Sequence, residues 1–442
     1  MIERVLDAVR GRAEAADALW HRVERTELSI ESGRLKAAAA SEGTGINLRV
    51  QRAGRVGVAG TTADDVDGLL TRALASAALG EEVTLALPGA AALPAVVTAD
   101  RDAAEASLER LIALGRTLAE RLAGDGRQVN VGVERAVGET VFANTAGAHG
   151  RYTSTSMSIA GEVRRVSGDD VLMVYDYCAG VSLPTDAELD ALVRGITVRL
   201  ELAERVVEPP EGSLPVVFTP EGLAAIVLPL EQALSGKSVL QGVSPLADRL
   251  GEQILDARLS ITDDPLLAGR TGSRPCDDEG VPSRRLPLVA CGVLRGFVYD
   301  LETAARAGVA STGHGRRGTF GKPSIGFTNL LFGPETAPIG GADGTESRLG
   351  GGLLGGIADG LLVDDLIGVG QGNVISGAFS HPVALAYRVQ RGEITGRVKD
   401  AAIAGNVYEL LKGIGGVGDD GRWLGSRWTA SLLLDGVSVA RR

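Results

Sequence analysis

The residues with most to offer a metal ion or an acid–base pair are four histidines, His21, His149, His314 and His381, and no two lie closer than 67 positions. An HExxH-type zinc helix needs two imidazoles one turn apart, so that motif is excluded. The three cysteines, Cys178, Cys276 and Cys291, contain no CxxC pair. Spacing leaves open a zinc site assembled from Cys276, Cys291 and His314, although inert buried thiols are the plainer expectation.

Two glycine-rich stretches imitate phosphate loops. Gly236-Lys237-Ser238 resembles the end of a Walker A loop, but Glu231 stands where the earlier glycine belongs. The stretch is expected to end a helix, which would point its amides away from an anion. Gly313-His314-Gly315-Arg316-Arg317-Gly318 satisfies GxGxxG. It follows a helical segment, Glu302 to Ala307, and precedes no helix, so the strand–turn–helix context is missing. Arg316 and Arg317 could instead bind a carboxylate or a peptide terminus.

The densest acidic turn, Asp277-Asp278-Glu279-Gly280, could ligate a hard cation or hydrogen-bond its own loop. Ser380 and His381 are neighbours that a strand would turn to opposite faces, so they form no dyad, and no GxSxG elbow occurs. Asp277, Asp278, Glu279, Arg284, His314, Arg316, Arg317, Ser380 and Asn406 are therefore the candidates for ligand contact or loop structuring.

Elements that would position these side chains fall into two halves. An amphipathic helix is expected around Ile2 to Trp20. Period-two alternation then predicts strands at Thr26–Ile30, Gly45–Arg52, Arg55–Gly60, Gln128–Asn144, Tyr152–Val163 and Val171–Tyr177. Helices are expected at Asp64–Ala78, capped by Thr61 or Thr62, at Ala103–Leu122 and at Asp186–Arg205. The Pro- and Gly-bearing stretch Glu208–Gly212 marks a boundary, giving an N-terminal α/β domain over 1–212 and a C-terminal β-rich domain over 213–442. Net charge is −9 before that boundary and −2 after it, and 39 of the 61 glycines lie in the second part. The segment Gly333–Gly360, with ten glycines in 28 residues, reads as a loop or a lid.

Composition excludes several classes. A net charge of −11 disfavours direct binding to nucleic acid or an anionic membrane, and sixteen aromatics make base-stacking platforms improbable. The longest stretch without charged side chains, Leu366 to Tyr387, carries Gln, Asn, Ser, His and four glycines, which is too polar to span a bilayer. An odd number of cysteines and a charged N-terminus lead to the expectation of a cytoplasmic protein.

The run from Ile261 to Arg317, together with FTNLLF at Phe327–Phe332, the stretch Gly360–Ser380 and IAGNVYELL at Ile403–Leu411, resembles the TldD/TldE (PmbA) family. The stretch Leu48–Thr62 matches more weakly. That resemblance implies an α+β protein that pairs around an internal cavity. In the family, the TldD branch is a zinc metallopeptidase with an HExxxH helix and a later cysteine ligand. The TldE branch lacks those ligands and serves as its partner in trimming peptides.

The segment equivalent to the zinc helix is Gly222–Gly236. There Glu231 stands near the motif glutamate, while Leu230 and Ser235 occupy the histidine places and no thiol follows Cys291. The resemblance therefore implies a non-catalytic, TldE-like subunit with no metal of its own. Zinc is expected in a TldD-like partner, the pairing being a heterodimer or a homodimer, and the substrate a peptide or peptide-like molecule. The alternative is non-zinc chemistry in a specialised biosynthetic pathway, for which Cys276 and Asp278 would be the candidate residues.

Overall fold

Apolar residues at helical spacing, Ile2, Val5 and Val9, bury one side of the first helix α1 (Ile2–Val9), which stops before Gly11 at φ 72°. The expectation of a helix reaching Trp20 is therefore corrected. Ala15 opens a 17-residue strand whose residues 16–19 are buried on both faces, a pattern that helical spacing cannot distinguish from a helix.

The computed structural model describes residues 1–336 and 349–442. In chain order, the first part holds β1 (Ala15–Glu31), β2 (Arg34–Arg52), β3 (Arg55–Thr61), α2 (Val66–Ala78), α3 (Arg101–Ala104) and α4 (Leu108–Leu122). It continues with β4 (Arg127–Asn144), β5 (His149–Ser167), β6 (Asp170–Gly180), α5 (Asp186–Leu202) and β7 (Val206–Val207). The second part runs β8 (Gly212–Phe218), α6 (Ala224–Ala233), α7 (Gly236–Leu240), β9 (Ser260–Asp263), β10 (Leu286–Ala290), β11 (Val293–Leu294), α8 (Leu301–Ala307), β12 (Gly315–Arg316), β13 (Ser324–Ile325) and β14 (Leu330–Gly333). After the undescribed residues come β15 (Asp359–Leu366), β16 (Ala378–Gln390), β17 (Glu393–Val398), β18 (Ala401–Asn406), α9 (Val407–Leu410), β19 (Gly416–Val417), β20 (Arg422–Leu424), β21 (Arg427–Thr429) and β22 (Leu432–Arg441). The middle of the glycine-rich segment, 337–348, lies outside the described residues, and with it the expectation of a lid.

Strands β1 to β6 form an antiparallel sheet in the order β3-β2-β1-β4-β5-β6. Its Ala16, Ala18, Ile46, Leu48 and Val50 pack under α1 and α2, and its Leu28, Ile30, Val131, Val133 and Ile159 under α4 and α5. Helix α2 lies so close that a Cβ at Gly57 of β3 would stand 2.1 Å from the Ala77 nitrogen, which only glycine permits. The cap of α2 is Asp65, which accepts from Gly68 N, while Thr61 ends β3 and bonds to Ala63 N instead. A second capping residue, Ser107, splits the expected Ala103–Leu122 helix into α3 and α4.

In the second part, β15, β8, β22, β18 and β16 pair in a closed circle, because β15 bonds to both β8 and β16, and β17 and β7 extend it. A further sheet runs β11-β10-β9-β14-β21-β20. The two halves share a core: Val217, Leu362, Leu385, Tyr387 and Val389 pack in one cluster with Leu189, Leu192 and Ile196 of α5. Helices and strands are thus mixed, as an α+β chain requires. Among the described residues, no helix is long and apolar enough to cross a membrane.

Candidate functional site

Period two places Asp17 and Arg49 on the face of the first sheet opposite Ala16, Ala18 and Leu48. That face receives the acidic turn and the glycine loop of the second part. Arg49, 1% exposed, donates from Nε and Nη2 to Asp17 at 2.9 and 2.8 Å, and from Nη1 to Glu279 at 2.6 Å. Arg317, also buried, donates to Asp17 Oδ2 and Asn47 Oδ1, each at 2.6 Å. Burial opposes ionisation of Asp17, but the two guanidiniums outweigh it and hold its pKa below the usual carboxylate value.

The glycine loop and the acidic turn satisfy each other. Asp277 accepts from the backbone N–H groups of Glu279, Val281 and Gly315, and Asp278 accepts from Arg317 N. The anion facing the GxGxxG-like loop is therefore the chain's own carboxylate pair. Among the described residues Asp277 meets no guanidinium, and burial beside Glu279 raises its pKa well above the ordinary value. Gly280 adopts φ 81°, and a Cβ there would strike the Phe142 ring.

The other sequence candidates are scattered. His314 is buried, with Nε2 3.1 Å from Asp263 Oδ2 and Nδ1 2.8 Å from Thr312 Oγ1. Arg316 donates to Phe327 O, Arg284 is exposed, and Asn406 caps α9 by accepting from Tyr408 N and Glu409 N. Ser380 and His381 are adjacent on β16, where the His381 ring stacks on Phe379. Cys276 is buried, whereas Cys291 is exposed, correcting the expectation of buried thiols, because it occupies a turn at φ 46° between β10 and β11. Gly236 opens the five-residue α7 rather than ending a helix, yet its N–H is already donated to Val298 O.

A second ionic cluster escaped the sequence reading and borders a cleft of about 240 Å³. The cleft is walled by Tyr175 and Tyr177 of β6, Glu221, Ala224 and Val227 beside and on α6, and Arg427 and Thr429 of β21. Beneath it, the buried Arg199 donates to Asp364 and Glu221, each at 2.8 Å, and to Asp176 at 3.4 Å. Arg422 bridges Asp176 and Glu221 at 2.6 and 2.8 Å. Arg427 holds Glu231 in a two-pronged pair at 2.5 and 2.7 Å. A legible signal existed: Asp364 interrupts the apolar run of β15, and a charge placed there must find a partner.

Three carboxylates share two guanidiniums in this cluster, and two of them, Glu221 and Asp364, are shifted in opposite directions. Burial disfavours the Glu221 anion, but Arg199 and Arg422 overcome it and leave the pKa at about 2. Burial dominates at Asp364, with Arg199 opposing and Glu221 reinforcing, and raises it to about 6. The sign follows from proton counting. Between 3.8 and about 6 the folded chain holds a proton on Asp364 that the unfolded chain has released, so stability from this group falls as pH rises through that window. Glu221 acts oppositely, losing its contribution as pH falls from 4.5 toward 2. The difference in melting temperature between Asp364→Asn and the parent is thus expected to move in the variant's favour from pH 4.5 to pH 7.5. Thermal melts at the two pH values check this, and an unchanged difference would refute the raised pKa.

A sheet under four helices, joined to a closed ring of strands with α6 lying beside a cleft, defines a mixed α+β protein of two interlocked halves. Models of the PmbA/TldA metallopeptidase match it along most of its length: the C-terminal domain over 211–441, domain 1 over 16–77 and the central domain over 101–208. The chain belongs to the PmbA/TldD metallopeptidase family.

It is 30% identical over 309 residues to the metalloprotease PmbA homolog of Haemophilus influenzae, covering 69% of this chain and 62% of that protein. To the metalloprotease TldD homolog of the same organism it is 31% identical over 215 residues, 48% of this chain and 42% of that one. The chain thus spans less than two thirds of these curated relatives. The crystal structure of TldE from Thermococcus kodakarensis shares the fold, with a TM-score of 0.86 at 24% identity over 99% of both chains.

Proposed function

We infer that this chain is a TldE-like, non-hydrolytic subunit that pairs with a TldD-like zinc metallopeptidase in a peptide-degrading or peptide-maturing complex of the cytoplasm. The observation that carries this reading is the state of α6. Where the resemblance places zinc-binding histidines, Leu230 is buried in the core and Ser235 precedes α7. Glu231, the position of the motif glutamate, is spent on Arg427. Zinc needs imidazole, thiolate or free carboxylate donors converging on one point. Among the described residues, no group of three or more His, Cys, Asp and Glu side chains converges in that way. The residues present do not fit the metal, and a carboxylate neutralised by a guanidinium activates no water. All three cysteines are free thiols, in keeping with a reducing compartment.

The alternative, non-zinc chemistry at Cys276 and Asp278, gains no support from the geometry. Burial pushes the Cys276 thiol well up, away from thiolate, and Asp278 accepts the Arg317 backbone N–H. The deciding experiment purifies the chain alone and with a TldD-like partner. The lone chain is expected to contain substoichiometric zinc by elemental analysis and to leave peptides intact, while the pair cleaves them. Stoichiometric zinc together with cleavage by the lone chain would overturn the reading.

A further inference from the structure

Two of the residues lining the cleft beside α6 carry an oxygen that nothing in the described chain satisfies. On β21, Arg427 and Thr429 share one face and both line the cleft, while Trp428 points to the other face and lies against Gly333 and Gly421. Thr429 is 3% exposed, and its Oγ1 has no hydrogen-bond partner among the described residues. Glu221 makes both of its ion pairs through Oε1, to Arg199 and Arg422, and its buried Oε2 is left without a partner among those residues. A buried polar atom without a partner is costly, so two of them beside one cleft call for a donor that comes from elsewhere.

Charge and shape select the donor. Four acids, Asp176, Glu221, Glu231 and Asp364, stand against three arginines, Arg199, Arg422 and Arg427, which leaves the cluster one negative charge once Asp364 has ionised. Each of those guanidiniums is already held by an acid, so the cleft favours a cation over an anion. The rings of Tyr175 and Tyr177, 5.9 Å apart and tilted by 34°, line one wall, and aromatic faces attract an ammonium. Leu223, Ala224, Val227 and Leu424 line the remainder and suit an apolar side chain. Outside the cleft, Tyr175 ends a row on β6, Val171, Met173 and Tyr175, in which every side chain is more than half exposed, with Val166 opposite Val171 on β5. We propose that the cleft holds the amino-terminal residue of an extended peptide, the α-ammonium donating to Glu221 Oε2 and Thr429 Oγ1 beside the two tyrosine rings. Its apolar side chain lies among Leu223, Ala224 and Val227, and the residues that follow run along the β6 row. The choice of a peptide rests on the reading of this chain as a peptide-handling subunit, whereas the choice of an ammonium rests on the cleft alone. Because Glu231 is spent on Arg427, the cleft holds this end without cutting it.

Isothermal titration of the full chain alone, at neutral pH, tests this with three probes. Leu-Ala-Ala amide, which has a free ammonium and no carboxylate, is expected to bind. Its N-acetylated form, and acetyl-Ala-Lys-Ala amide with an ammonium only on the lysine stem, are each expected to bind at least about tenfold more weakly, having lost a charged hydrogen bond or its placement. Glu221→Gln is the direct variant, but that side chain also holds Arg199 and Arg422, so Thr429→Val is measured beside it. Thr429→Val is expected to weaken binding of the free peptide roughly tenfold without lowering the melting temperature, because its hydroxyl has no partner in the described chain to lose. Equal binding of the acetylated peptide or of the lysine probe would overturn the proposal, and so would a parent that binds none of the three or a Thr429→Val protein that binds as the parent does. None of these readouts depends on zinc content or cleavage, so this proposal and the subunit reading fail separately.

Discussion

Replacing Arg49 by alanine is expected to cost roughly 3–5 kcal/mol of stability, because it strands two carboxylates in a buried site. Asp17 would lose the donor that grips both its oxygens and keep only Arg317, while Glu279 would retain only the Leu301 N–H. The guanidinium also ties β2 to the signature segment, so local opening of the acidic turn should accompany the loss. Arg49→Lys is expected to fall between parent and alanine, since one ammonium cannot reproduce a fork directed at two acids. Denaturant melts of Arg49→Ala, Glu279→Ala and the double variant provide the check. The double should cost less than the sum of the singles by roughly 0.5–3 kcal/mol, as contacting residues do. Additive costs, or an Arg49→Ala protein as stable as the parent, would show that the pair is not coupled.

Arg199→Ala is expected to have a comparable effect, on the order of 3–5 kcal/mol at neutral pH, with a different pH dependence. Arg199 is buried and neutralises Asp176, Glu221 and Asp364 together; without it, Arg422 still holds Asp176 and Glu221, and Asp364 keeps the Thr219 hydroxyl but no guanidinium. The pKa of Glu221 should rise from about 2 and that of Asp364 climb further above about 6. Carboxylates with raised values penalise the folded chain above those values and cease to do so once protonated. The loss should therefore be larger at pH 8 than at pH 5. Melts of variant and parent at both pH values decide it, and a pH-independent loss would mean that packing of the guanidinium stem, not its charge, is what α5 contributes.

Much of this was legible in the residues. Alternation predicted β4, the middle of β5 and the Gly45–Arg52 part of β2, since a strand's two faces meet different surroundings, whereas the exposed Arg34–Gly43 part of β2 has no such contrast to show. The absence of paired histidines excluded a zinc helix because metal geometry is local in sequence on a helix. The order of the signature blocks pointed to the family. The false helix over Ala15–Trp20 had a physical cause: a strand buried on both faces loses its alternation. The cap of α2 was misplaced because Thr61, although of the right type, was already committed to a strand.

The sequence by itself determined the class of fold, the family and the absence of histidine and cysteine from α6, because these rest on residue type and on the order of short blocks along the chain. Only the tertiary structure decided what the charged residues do. Asp277 and Asp278 structure their own loop with Arg317 and Gly315, whereas Glu279 and Arg317 are also fastened to Arg49, Asp17 and Asn47, some 230 to 300 positions away. Asp176, Arg199, Glu221 and Arg422, spread over 246 positions, converge beside one cleft. A buried charge is held by whatever opposite charge the chain's path brings to it, and that path is set by the packing of the two sheets rather than by distance along the sequence.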